Sequence, residues 1–213
     1  MDSNAGFISN KNSRALFFVL SGVTGGKDEP LVNYLSRTVS ARGSVLTLQF
    51  ANDPLYQNSA LPEMEEMTFA NCFSRIDRAM QIAGGTELYS EIIFLAHSFS
   101  AVIVSYYLGL HTQTHASSPH YTLVIIDSDP SSKLLAYLDA QSEEFLRDKT
   151  RNPFHASVVD FMRTHDSAEI LRALPVSVIS IEASEIGADH EFTSDDSKRQ
   201  LAEKILRKLP ANL

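Results

Sequence analysis

Two kinds of apolar run alternate along this chain. Short, nearly unbroken runs occur at Arg14–Leu20, Ser44–Phe50, Ile92–Ala96, Tyr121–Ile126 and Pro175–Ile181. Runs of this length without polar alternation are typical of strands buried on both faces. Between them lie stretches with helical spacing. Leu31, Leu35 and Val39 recur on one face, and Phe69, Phe73, Ile76, Met80 and Ala83 on another. A continuous apolar stretch of helix length comes after Ser100. Strands alternating with helices predict a mostly parallel α/β sheet with helices on both faces.

Local signals set the boundaries. Glu29-Pro30 opens the first helix, Gly43 stops it, and Gly84-Gly85 ends the second. Residues 51–63, with Pro54 and Pro62, read as a loop, and His111–His120 as a polar connection. Residues 131–173 read as helical but broken, with Pro153 as an interruption. The last helix has cap candidates Thr193 and Ser194, then Asp195 and Asp196 in its first turn. Arg207 and Lys208 lie near its end, a charge order that suits the helix dipole. Residues 1–13 read as a flexible leader, which leaves 14–213 as one domain.

Composition narrows the class. A chain of 213 residues can bury a sizeable core as one domain. Its 44% hydrophobic and 21% charged content is ordinary for a soluble globular protein. The net charge of −8 argues against nucleic acid or an anionic membrane as the main partner. No apolar stretch reaches the ~20 residues that span a bilayer. The N-terminus has no hydrophobic signal region, so a cytoplasmic location is expected. The lone Cys72 excludes an internal disulfide and a cysteine-based zinc site. It falls on the apolar side of its helix and reads as a buried structural thiol.

The chemistry concentrates where the third strand meets the apolar helix, at Ala96-His-Ser-Phe-Ser-Ala101. Strand, tight turn bearing Ser98, then buried helix is the layout of a nucleophile elbow. The usual signature is Gly-x-Ser-x-Gly, and here the flanks are Ala96 and Ser100. Small flanks have a physical reason, because the sharp turn brings helix and strand close together. A serine hydroxyl is a poor nucleophile until a base takes its proton and an acid orients that base. Elbow-bearing chains supply these in the order Ser, acid, His.

His190, in the loop before the final helix, is the best-placed base. His111, His115 and His120 precede any acid candidate, and His155 and His165 fall in the broken helical region. Solvent-exposed or packing roles are expected for those five. His97 adjoins Ser98, but its side chain is expected to point away from the serine's. Asp127 ends the fourth strand, where catalytic groups gather in open α/β sheets, and is the preferred acid. Glu182 and Glu185, after the fifth strand, are the alternative acids. Asp129, just before Pro130, reads as a helix cap. An oxyanion hole would draw on the backbone N–H of Phe99 and of Val23 or Thr24. Ser21–Gly26 lacks the Gly-Lys-Ser/Thr ending of a Walker loop and the Gly-x-Gly-x-x-Gly spacing, which argues against a phosphate loop.

Three segments resemble the thioesterase domains that release products from fatty-acid, polyketide and nonribosomal-peptide synthases, a family with the α/β-hydrolase fold. Leu16–Gly26 is similar to the family's first strand and oxyanion loop. Ala96–Ala101 is similar to its Gly-x-Ser-Phe-Gly-Gly/Ala elbow. Tyr121–Pro130 is similar to the strand ending in Asp-Ser/Gly-x-Pro. The resemblance implies Asp127 as acid, and Ala188-Asp-His-Glu191 resembles the segment around the family's histidine, which implies His190. It also implies a shortened α/β-hydrolase-like domain whose helical lid, at about 131–173, is reduced. The acyl site would then be open or completed by a partner.

The resulting expectation is a Ser-His-Asp hydrolase of an acyl thioester carried on coenzyme A or phosphopantetheine, with no metal or organic cofactor. An acyl-carrier protein or synthase is the implied partner. A small-ester carboxylesterase with the same residues is the first alternative. A non-catalytic α/β-hydrolase acting as a binding or scaffold protein is the second.

Overall fold

The computed structural model describes residues 5–22, 25–50, 68–111, 119–128, 156–165, 167–173, 176–210 and 213. Strands β1 (Ala5–Ile8), β2 (Ala15–Leu20), β3 (Ser44–Leu48), β4 (Glu91–His97), β5 (His120–Ile126) and β6 (Ser177–Ile181) form one sheet in the order β1-β3-β2-β4-β5-β6. β2 to β6 are parallel, and β1 is antiparallel to β3. The described helices are α1 (Pro30–Val39), α2 (Phe69–Ile82), α3 (Phe99–His111), α4 (Ala156–Thr164), α5 (Ser167–Ala173) and α6 (Asp195–Lys208).

The unbroken apolar runs arise from a sheet covered on both faces. Side chains alternate across a strand, so each run feeds two cores. Leu16, Phe18, Ile92 and Phe94 join Phe69 and Ile76 of α2 and Tyr106 of α3 on one face. Phe17, Val19, Ile93 and Leu95 join Leu31 and Leu35 of α1 and Leu201 and Ile205 of α6 on the other. Phe18 and Phe94 stack with ring centroids 4.8 Å apart. α5 approaches α3 where Gly109 has no side chain, since a Cβ there would fall 2.6 Å from Ile170 Cγ2.

Ends of helices match their polar signals. Thr68 Oγ1 accepts the Asn71 N–H at 3.2 Å at the start of α2. Of the two cap candidates for α6, Ser194 serves, its Oγ accepting the Ser197 N–H at 3.0 Å. Thr193 instead donates its hydroxyl to Asp189 Oδ2 at 2.6 Å.

The flexible-leader expectation for residues 1–13 is corrected from Ala5 onward. Ala5–Ile8 extends the sheet beside β3, with Ala5 opposite Leu48 and Ile8 opposite Val45. Polar contacts pin the residues just beyond this strand. The Asn10 N–H donates to Ser44 Oγ at 3.0 Å, and Ser13 Oγ donates to the Arg42 carbonyl at 2.7 Å. Its four residues, Ala-Gly-Phe-Ile, are too short a run to stand out between polar neighbours, so the stretch reads as a polar tail. The lid-like stretch 131–173 is only partly described, as α4 and α5. Pro153 and the 51–63 loop lie outside the described residues.

Because β2 to β6 run the same way, their C-terminal ends share one edge of the sheet. That edge receives Ser98 after β4, Asp127 after β5 and the segment after β6. Phe94 is fully buried at the centre of this sheet. Phe94→Ala is expected to lower the unfolding free energy by about 3–5 kcal/mol, seen as a lower urea midpoint at an unchanged slope.

Candidate active site

Ser98 is the one residue between β4 and α3, and it turns the chain with φ 56°. This left-handed backbone costs a side-chain-bearing residue about 1–2 kcal/mol. Hydrogen bonds on both sides hold it: the Ser98 N–H donates to the Ile126 carbonyl at 3.0 Å, and the Ala101 N–H to the Ser98 carbonyl at 3.1 Å. Its flanks, Ala96 and Ser100, are fully buried. Ser100 fits where a glycine is usual because its hydroxyl donates to the His97 carbonyl at 2.8 Å. The segment after β2 closes in from the side. A Cβ on Gly22 would stand 3.3 Å from Ser98 Cβ.

Asp127 comes directly after β5 with φ 44°, also left-handed. Its N–H donates to the Ile181 carbonyl at 2.8 Å. Its Oδ1 accepts the Ala183 N–H at 2.7 Å, and its Oδ2 lies 2.5 Å from His190 Nδ1. A carboxylate accepts, so Nδ1 carries the proton and His190 Nε2 presents a lone pair. That Nε2 lies 3.1 Å from Ser98 Oγ, whose hydroxyl is the donor. The three residues thus form one hydrogen-bonded chain, Ser98–His190–Asp127. It can pass the serine proton to the imidazole and hold the resulting cation against the carboxylate.

The His190 segment is anchored on both sides. Phe192, at φ 49°, is fully buried in the core under α6. Asp189 Oδ1 accepts the Thr193 N–H at 3.1 Å. His97 adds a tie that sequence reasoning missed. Its Nε2–H donates to the His190 carbonyl at 2.8 Å, and its ring centroid lies 4.8 Å from the His190 ring. His97 Nδ1 is buried with no hydrogen-bond partner. Burial above all, then the neighbouring His190, hold the His97 ring below the usual histidine range. The ring is therefore a neutral brace for the His190 backbone. Its one sequence signal is its place next to Ser98.

The alternative acids are committed elsewhere. The Glu182 side chain accepts the Glu185 N–H, and Glu185 Oε1 accepts the Glu182 N–H at 3.1 Å, a reciprocal cap on their own turn. Glu185 also pairs with Lys204, which holds its carboxyl below the usual range. Neither reaches His190. His120 pairs with Glu91 at 2.9 Å, and His165 stacks on Phe161 with centroids 4.0 Å apart, so neither approaches Ser98. Phe99 is the buried first residue of α3. Val23, Thr24, His115, Asp129, His155 and the His111 side chain lie outside the described residues. Among the described residues, no group of His, Cys, Asp and Glu side chains is arranged to hold a metal. None of the described helices is long and apolar enough to cross a membrane.

No family model matches the chain, and no curated protein matches its sequence. Solved structures do match it nearly end to end. A metagenome-derived lipolytic enzyme from work on LipS and LipT superposes with a TM-score of 0.63 at 16% identity, over 96% of each chain. Est1E from Butyrivibrio proteoclasticus with ferulic acid bound gives 0.61 at 13% identity, over 96% of this chain and 94% of that one. The NocB thioesterase domain from the nocardicin cluster gives 0.50 at 13% identity, over 97% and 98%. The chain has the α/β-hydrolase fold.

The strained elbow gives a direct stability test. Ser98→Gly and Ser98→Ala both remove the hydroxyl, but only glycine adopts φ 56° freely. The glycine variant is expected to be more stable than the alanine variant by about 1 kcal/mol in urea unfolding.

Proposed function

We propose that this protein is a serine hydrolase that cleaves an acyl thioester. One observation carries the reading: the Ser98–His190–Asp127 chain, with 3.1 Å from the hydroxyl to the imidazole and 2.5 Å from the imidazole to the carboxylate. In this scheme Ser98 Oγ attacks the carbonyl carbon while His190 Nε2 takes its proton. Asp127 stabilises the imidazolium. The tetrahedral oxyanion accepts hydrogen bonds from the Phe99 N–H and from the Val23 or Thr24 N–H. Donors so placed are worth about 3–4 kcal/mol each to the transition state. Collapse breaks the carbon–sulfur bond, and the departing thiolate takes the proton back from His190. Water, deprotonated by His190, then releases the acid and restores Ser98.

Coenzyme A or a phosphopantetheine arm carries the acyl group in this reading, and an acyl-carrier protein or synthase is the expected donor. The chemistry calls on neither metal nor organic cofactor. The resemblance of the Ala96–Ala101 and Tyr121–Pro130 segments to product-releasing thioesterases supports the thioester. So does the shared fold of the NocB thioesterase domain. The oxygen-ester reading is favoured by a different observation, the likeness to Est1E, which binds ferulic acid in its structure.

A fluorophosphonate probe is expected to label the wild type and to leave Ser98→Ala unlabelled; an unlabelled wild type would refute the hydrolase reading. Asp127→Asn is expected to lower kcat by about 10⁴-fold, because it leaves the imidazole in the wrong tautomer. Side-by-side kcat/KM on acyl-CoA and nitrophenyl esters assigns the substrate. A clear preference for nitrophenyl esters would replace the thioester by the oxygen ester.

A further inference from the structure

Glu29 is an acid that the hydrolytic scheme leaves unused. It stands at the N-cap of α1, yet its side chain caps nothing. It folds back on the segment after β2 instead. A Cβ on Gly25 would fall 2.3 Å from Glu29 Oε2 and 2.8 Å from Ser21 Cβ. The carboxyl therefore rests on the bare α-carbon of Gly25, beside Ser21. Glu29 Oε2 is buried with no hydrogen-bond partner, and so is Ser21 Oγ. Along the same segment, Gly22 approaches Ser98, and the Gly25 N–H donates to the Gly22 carbonyl at 3.2 Å.

Among the described residues, the charges around this acid come from few places. Lys27 and Asp28, on its own segment, pair with each other at 2.5 Å. Lys198, on the neighbouring α6, donates to the Thr193 carbonyl and to Asp195. The groups whose fields reach Glu29 are Glu191 and His190. Burial first, and then the Glu191 carboxylate, push the Glu29 acid up to about 7, against a downward pull from His190. A buried oxygen with no donor disfavours the carboxylate.

We propose that Glu29 is a positioning residue of this site: as the neutral acid, resting on Gly25, it seats the segment that carries Gly22 beside Ser98. The role rests on the hydrolase reading, so its test has one arm that needs no catalysis.

The first arm is the melting temperature of the wild type and Glu29→Gln between pH 5 and pH 8. The unfolded acid ionises near 4.5 and the folded one near 7. The proton held in the folded state thus contributes stability that is complete below pH 4.5 and is lost as pH rises through 7. Glutamine has no proton to lose, so its Tm relative to wild type is expected to climb from pH 5 to about pH 7 and to level off above that. Gly25→Ala, whose methyl evicts the carboxyl, is expected to remove the same slope. A Tm difference that stays constant with pH overturns the buried acid.

The second arm is the pH dependence of kcat/KM on whichever ester the wild type turns over. The kcat/KM of Glu29→Gln relative to wild type is expected to rise as pH passes through 7, since only the wild-type acid ionises there and loses its buried seat. A ratio that stays constant with pH makes Glu29 structural only and overturns the positioning role. An inactive wild type refutes the hydrolase reading and the positioning role with it. The Tm arm still decides whether Glu29 is a buried acid.

Discussion

Asp127 Oδ1 accepts the Ala183 N–H while Oδ2 holds His190 Nδ1, so one carboxylate ties the end of β5 to the segment after β6 at two points. The backbone beneath it matters as much. The Asp127 N–H donates to the Ile181 carbonyl, and the Ser98 N–H donates to the Ile126 carbonyl. Each bond carries the sheet's ladder one step beyond a strand end. The register between β4, β5 and β6 therefore sets where the hydroxyl and the carboxylate stand. A slip of one residue would turn every side chain to the opposite face, and the two buried cores forbid it.

Strain accompanies this arrangement at three places. Ser98, Asp127 and Phe192 are the described non-glycine residues with positive φ. Two of them belong to the hydrogen-bonded chain, and the third lies two residues from His190. Such backbone persists only where the surroundings over-determine it. Here the surroundings are the extended ladder, the packed elbow flanks and the buried Phe192 ring. His97 works in the same sense, binding the His190 backbone with a ring that burial keeps neutral.

Much of this was legible in the sequence, for reasons that can be named. Runs such as Ile92–Ala96 carry no polar alternation because both faces of the sheet are covered, and that announces a parallel α/β core. Ser98 and Asp127 could be singled out because each directly follows a strand whose signal was strong, and His190 because it lies in the short loop before a well-marked helix. The features that escaped depend on contacts between segments. β1 lacked a pattern because its run of four residues is too short to stand out. Glu29 beside Pro30 looked like an ordinary helix start, and only the packing of Gly25 against it shows where its carboxyl goes. Glu182 and Glu185 stayed open as acids because sequence cannot show that each caps the other and that Lys204 claims Glu185.

The direction of β1 has a practical side. It runs against its neighbour, so Ala5 lies beside Leu48, on the rim of the sheet that bears Ser98 and Asp127. α6 starts near His190 on that same rim, and Arg42, just ahead of β3, reaches the Leu206 carbonyl near the helix's far end. A purification handle or fluorescent fusion spliced ahead of Ala5 would start from the rim that bears the site, three strands away from the one that ends at Ser98. The same cargo attached beyond the final helix would start from the helix end that Arg42 reaches, away from His190.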